Sequence, residues 1–349
     1  MAPSATQERK FLPFYERLAN CVVGYAAGRI AISAFVGFAL LAFHKLIDFW
    51  LVGKQRPNDW SWFLAVLISA AMLCVYYATY TLQIVCAQLD SRLRPEAVEA
   101  YRGPLAEILS DSKFIRAGIF FGGFNCLIGY WLGLPYAEIS ARVTILICYF
   151  VAGFVCGIAV WGIYGVSKVI RAFFSKAEPA FDFTAPDHCG GTGFLGDALV
   201  VFASVTLIVA VMISIYIFET DWGRPDTWGK LSLRMFWIVF PYACSLVALL
   251  GPAIPIANKL RQYKLEQELA LQKRLREIRA QLETEKDPIA RKDLREDYEF
   301  RQSRRKDLHA MRTWPFGLGA NLKYLSVIAG NAFAQGSSAL KWLHQFQGH

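Results

Sequence analysis

The sequence predicts an all-α fold: a polytopic membrane helical bundle of six transmembrane helices with a helical hairpin on a basic tail. Three observations predict it. Of the 349 residues, 55% are hydrophobic and 19% charged, whereas soluble domains carry about 25% charged residues, so one aqueous core cannot absorb the apolar surface. The apolar residues fall into uncharged blocks, and a helix of about 20 such residues crosses roughly 30 Å of hydrocarbon with its backbone groups paired. The charge is also divided unevenly. Residues 1–257 hold 19 Lys and Arg against 17 Asp and Glu, residues 258–349 hold 18 against 11, and nearly all of the net +9 is therefore in the tail. An ordinary soluble enzyme is excluded.

The first block runs from Leu18 to Phe43, broken by Arg29 alone, and can also be read from Ile30 to Val52. It is too long for the apolar region of a cleaved signal, and no small-residue cleavage site follows it. Near its end His44 and Asp48 are four residues apart and share a helix face beside Lys45. Two readings stay open for this cluster: an anchor in the headgroup zone, with Lys45 reaching water, or a polar constriction lining a cavity. Uncharged runs follow at Trp60 to Leu89, Ala117 to Ala137, Val143 to Ser167, Ala198 to Phe218 and Met235 to Asn258. No ionisable group interrupts these five, which argues against a proton-coupled path. Glycines four apart (Gly24 and Gly28, Gly129 and Gly133, Gly153 and Gly157) suit close helix packing within the chain or, less economically, a dimer face. Cys74, Cys86, Cys126, Cys148, Cys156 and Cys244 lie inside apolar blocks, and no spacing suggests a disulfide framework or a zinc site.

Six crossings put both termini on one side. With the N-terminus inside, the inner segments before the tail hold 11 basic residues and the outer loops 7, which favours cytoplasmic termini. Trp50, Trp60, Trp62, Trp131, Trp222 and Trp228 then all fall at the outer interface, where amphipathic rings are favoured.

The loop before the fifth block reads Ala185-Pro186-Asp187-His188-Cys189-Gly190-Gly191-Thr192-Gly193-Phe194-Leu195-Gly196-Asp197. Gly191, Gly193 and Gly196 satisfy G-x-G-x-x-G, but a dinucleotide fingerprint needs a preceding strand, and here an apolar helix precedes. Asp187, His188 and Cys189 are consecutive and lack a second cluster to complete a metal site. The expected role is a tight glycine turn, with Asp187 or Thr192 capping the next helix. The string P-D-x-x-G-G-x-G-F-L-G before an apolar helix resembles a loop of a broad group of uncharacterised bacterial multi-pass membrane proteins. The group carries a histidine ahead of the Pro-Asp pair where this chain has Ala185. A further likeness is Trp314-Pro315-Phe316 after a charged helical stretch. The resemblance implies a bacterial membrane protein, expected in the inner membrane, and supplies no activity.

Pro241 lies inside the sixth block, and Gly251, Pro252 and Pro255 crowd its end, which predicts a kink there. Beyond Asn258, Leu271, Leu275, Ile278 and Leu282 repeat at intervals of four, three and four, a short coiled-coil seam. Asp287-Pro288 ends that helix and caps another. Ile289, Leu294, Tyr298, Leu308 and Met311 give the second helix a sparser apolar face, so an antiparallel hairpin is expected. Three divisions follow: a six-helix membrane domain over 1–257, a cytoplasmic hairpin over 258–313 and an interfacial segment over 314–349, whose mildly apolar part is 322–343. Lys259, Arg261 and Lys264 suit anionic lipid, and acids interspersed among the bases argue against nucleic acid.

No catalytic, cofactor-binding or metal-ligating set emerges. The sequence therefore reads as a non-enzymatic, self-associating membrane protein, either a channel or an anchor or sensor whose tail meets a cytoplasmic protein. The alternative is a solute permease with a neutral polar path through Gln83, Asn125 and Ser204; a membrane-embedded enzyme would have to draw on Asp182, Asp187 and His188.

Overall fold

The computed structural model describes residues 13–22, 25–52, 61–92, 102–103, 105–132, 139–176, 181–219 and 228–316, with Tyr324, Ser326 and Ala329. The elements are all helical: α1 (Phe14–Val22), α2 (Tyr25–Val52), α3 (Ser61–Arg92), α4 (Asp111–Leu132), α5 (Ile139–Lys176), α6 (Gly193–Glu219), α7 (Trp228–Thr284) and α8 (Pro288–Ala310). Five of them, α2, α3, α5, α6 and α7, have the length and composition of membrane spans. The protein is an all-α, multi-pass membrane protein.

The expected third crossing, α4, is shorter, and residues 133–137 of its block lie outside the described residues. The direction of its neighbours shows that it crosses. At one end of the bundle, the base, Val85 and Leu89 of α3 pack with Val169 and Phe173 of α5. At the far end Leu64 and Ile68 of α3 pack with Ile145 and Cys148 of α5. The two helices thus run the same way, and the chain between them must return across the bundle. α4 makes that return: its N-terminal part meets α1 through Phe114 and Tyr15, and Ile128 reaches Ile217 and Trp237 at the far end. Its 22 residues span about 33 Å at 1.5 Å per residue.

Glycine sets the α4–α5 distance. A Cβ on Gly157 would collide with the Ala117 carbonyl oxygen, and one on Gly153 would lie 2.6 Å from that of Phe121. Helices without a hydrophobic drive between them associate through such close approach. This pair therefore serves contact within the chain, while Gly24 and Gly133 lie outside the described residues. At the far end Trp50, Trp62, Trp131 and Trp228 are exposed on four helix termini, an aromatic belt; Trp60 and Trp222 lie outside the described residues.

Two expectations are corrected. Leu18–Phe43 is not one crossing, because α1 ends at Val22 and α2 begins at Tyr25. α1 folds against α2 so that Glu16 Oε2 accepts from Arg29 Nε at 3.0 Å, which pairs the lone cation of the block. The reading from Ile30 to Val52 is closer to α2. Arg234, expected in an outer loop, is 2% exposed within α7, because that helix begins before the uncharged run does.

α7 continues through Pro241, Pro252 and Pro255 for 57 residues, about 85 Å of helix. The boundary expected at 257 therefore falls inside one continuous helix, and the arm is rooted in the membrane span. Asp287 caps α8, accepting from Ile289 N at 3.1 Å with Pro288 at the first helical position. The arm of α7 and α8 form the expected hairpin. Leu271, Leu275 and Ile278 are buried and Leu282 half-buried, and Glu268 faces Arg305 and His309 across the pair.

Candidate functional site

The loop of 181–192 is a clasp. His188 (φ 51°), Gly190 (φ 66°) and Gly191 (φ 80°) take the left-handed backbone region, which curls the chain around the Asp187 carboxylate. Asp187 Oδ1 accepts from Cys189 N at 2.8 Å and Gly191 N at 3.0 Å, and Oδ2 accepts from Gly193 N at 2.8 Å. The Gly193 N–H, the first donor of α6, is thereby satisfied, the capping role expected of Asp187. Thr192 Oγ1 instead donates to the Cys189 carbonyl at 2.7 Å.

The clasp closes on the segment after α8. Cys189, 3% exposed, donates from Sγ to the Trp314 carbonyl at 3.4 Å, and Arg312 N donates to the His188 carbonyl at 2.6 Å. A Cβ on Gly196 would overlap the Pro315 carbonyl oxygen, so only glycine admits this approach. Met311, Phe316 and Leu260 join Leu195 and Leu199 in the basal core. The Pro186–Gly196 loop and the Trp314-Pro315-Phe316 segment are thus in direct contact. Burial, followed by the nearby Asp187 carboxylate, pushes the Cys189 thiol above its ordinary range. Hydrogen bonds from the Thr184 hydroxyl and backbone hold the Asp182 carboxyl below its ordinary range.

The arm is fixed at its root by further contacts. Tyr263 Oη donates to the Phe181 carbonyl at 2.8 Å. Lys264 Nζ donates to the carbonyls of His309 (3.0 Å) and Met311 (2.8 Å), a cation at the C-terminal end of α8. Lys264 thus binds protein here, where lipid was expected. Arg304 of α8 lies 5.1 Å from the Phe183 ring. Beyond the clasp, Tyr324 is buried and its hydroxyl meets Ser245 Oγ at 2.6 Å, with Ser245 donating to the Ala203 carbonyl. The residue is seated on α6 and α7, not at an interface; the rest of 322–343, apart from Ser326 and Ala329, lies outside the described residues.

The polar cluster on α2 is divided. His44 is 1% exposed, and its Nδ1 pairs with Thr144 Oγ1 of α5 at 2.8 Å, so the histidine joins two helices and does not face headgroups. Lys45 is exposed. Asp48 is on the same helix, and its side chain lies outside what the structure describes.

Inside the bundle, α3 to α7 enclose a cavity of about 210 Å³. Tyr15 of α1 also lines it, its hydroxyl 2.9 Å from Thr79 Oγ1. Of Gln83, Asn125 and Ser204, only Asn125 lines it, and Arg234 is the only charged side chain among the described lining residues. Left empty, the 210 Å³ would cost about 5 kcal/mol at about 24 cal/mol per Å³.

Among the described residues no three His, Cys, Asp or Glu side chains gather as metal ligands. No family model, curated protein or solved structure matches the chain. Sequence reasoning missed the Glu16–Arg29 pair, the seat of Tyr324 and the cavity. Only the first had a signal, since a lone arginine in an apolar block requires a partner.

Proposed function

We propose that the protein is a non-enzymatic membrane anchor that holds a helical arm at a fixed attitude for a cytoplasmic protein partner, in a bacterial inner membrane with both termini cytoplasmic. The observation that carries this reading is the root of the arm. α7 leaves the bundle without interruption, and the clasp, Tyr263 and Lys264 brace it where it emerges. A flexible tether would need none of these contacts. Asp187, one of the three side chains that an enzyme would have to draw on, is occupied in holding backbone groups. The cavity is largely apolar, and Asn125 is the one residue of the expected polar path that lines it, which favours an anchor over a channel or permease. The Gly153–Gly157 pair is used within the chain, which removes one support for self-association.

A pair of spin labels tests the reading, one on native Cys21, exposed on α1, and one on Ser303→Cys, exposed on α8, with the other cysteines replaced. A narrow distance distribution in vesicles is expected, broadened by Gly196→Leu, together with no ion or solute flux through the reconstituted protein. A broad distribution in the parent chain, or clear flux, overturns the anchor.

A further inference from the structure

We propose that the cavity between α3 and α7 is a binding site for one acyl chain of a bilayer phospholipid, which reaches it through the seam between α4 and α7. Apart from Arg234 at the far end the wall is apolar, and its other main polar groups are engaged within the protein. Tyr15 meets Thr79, Asn125 Nδ2 donates to the Tyr149 carbonyl at 2.7 Å, Thr206 Oγ1 donates to the Phe202 carbonyl at 2.8 Å, and Tyr149 and Tyr216 hydroxyls are 3.3 Å apart. Below Arg234 such a wall offers water few open partners. A dry apolar cavity takes an apolar guest, and one of about 150 Å³ already accepts benzene; this one holds about 210 Å³.

Gly162 shows where the space lies. It lines the cavity, and a Cβ built on it would meet nothing within 4 Å, in contrast to the tightly opposed Gly153 and Gly157. The way in follows from the helix arrangement. α4 and α7 touch over a short stretch only. Phe124 and Trp237 stand at that seam with ring centroids 6.5 Å apart and tilted by 48°. Pro241, Phe240 and Trp237 also line the cavity, so the seam joins it to the lipid-facing side, where Leu127 and Val239 are exposed. The medium at that depth is hydrocarbon, and an acyl chain is the guest in greatest supply.

The test uses the full chain in phosphatidylcholine vesicles doped with phosphatidylcholine that carries a diazirine midway along one acyl chain. After photolysis, adducts are mapped by mass spectrometry. Adducts are expected on the lining residues Cys74, Cys156 and Cys244 as well as on lipid-facing Phe120 and Leu127. Gly162→Leu, which grows into the open space, should lower the interior adducts several-fold and leave the lipid-facing ones unchanged. Adducts confined to lipid-facing positions in the parent chain overturn the proposal, as do interior adducts that persist undiminished in Gly162→Leu. Should that variant fail to insert, Ala159→Val on the same wall is read in its place, and the parent adduct map decides the site independently.

Discussion

Asp187 shows how one side chain sets a long-range contact. Its two oxygens hold three backbone N–H groups at 2.8 to 3.0 Å, and the curled backbone presents Cys189 to Trp314, 125 positions away in sequence. Asp187→Ala strands those donors and should cost about 3 kcal/mol, read as a lower melting temperature in detergent; Asp187→Asn, which keeps one acceptor oxygen, should cost less. Cys189 gives a second readout. Its thiol lies above the ordinary range, so the thiolate, the reactive species, forms late as pH rises. Alkylation of Cys189, followed at that residue by peptide mass spectrometry, should stay slow at pH 8.5, where a free thiol is about half ionised, and accelerate only above it. In Asp187→Ala the loop opens and the rate at pH 8.5 should rise; an unchanged rate would show that the clasp does not depend on the carboxylate. The capping role of Asp187 was legible in the loop sequence, because Pro-Asp before a glycine turn and an apolar run is a helix-start pattern. Its docking on Trp314-Pro315-Phe316 was not legible, since no local pattern encodes a contact at that separation.

At the scale of elements, two helices owe their placement to pairing. α1 is short and is held under the bundle by Glu16–Arg29, by an Arg17–Asp111 ion pair and by Tyr76 donating to the Tyr15 carbonyl. Breaking a buried ion pair from one side leaves an uncompensated charge and costs about 3 to 5 kcal/mol, whereas replacing both partners by apolar groups is often neutral. Glu16→Leu should therefore destabilise strongly, and Glu16→Leu with Arg29→Met should recover most of the loss in thermal unfolding. A double variant as unstable as the single one would mean that α1 is held by its other contacts. The arm depends on Ile278, 1% exposed. Ile278→Asp places a charge on the buried seam and should release α8, read as rapid proteolysis near 285–287 with membrane insertion unchanged. The arm helices and Asp287-Pro288 were legible from spacing and capping alone. The length of α7 was not, because three prolines and a change of composition at 257 suggest an end where the helix continues; proline removes one hydrogen bond, and packing in the bundle outweighs that loss.

At the scale of the whole molecule, the alternation of α2 to α7 follows from two helices, α3 and α5, whose parallel course obliges α4 to cross between them. The apolar blocks made the crossings legible, but a cavity left by imperfect filling among five helices has no sequence signature. The same alternation places α1, the clasp and the arm at one end and Trp50, Trp62, Trp131 and Trp228 at the other, so a single measurement orients everything. The basic residues favour the base as the cytoplasmic side. Cys189 is a poor reporter, since burial alone protects it, and exposed positions are needed. Ser303→Cys on α8 should resist an impermeant maleimide in intact cells and react once the membrane is permeabilised. Asn58→Cys, in the segment joining α2 to α3, should react in intact cells. The reverse pattern would invert the molecule and place the arm outside, where no cytoplasmic partner could meet it. Reaction of both positions in intact cells would contradict the alternation of crossings itself.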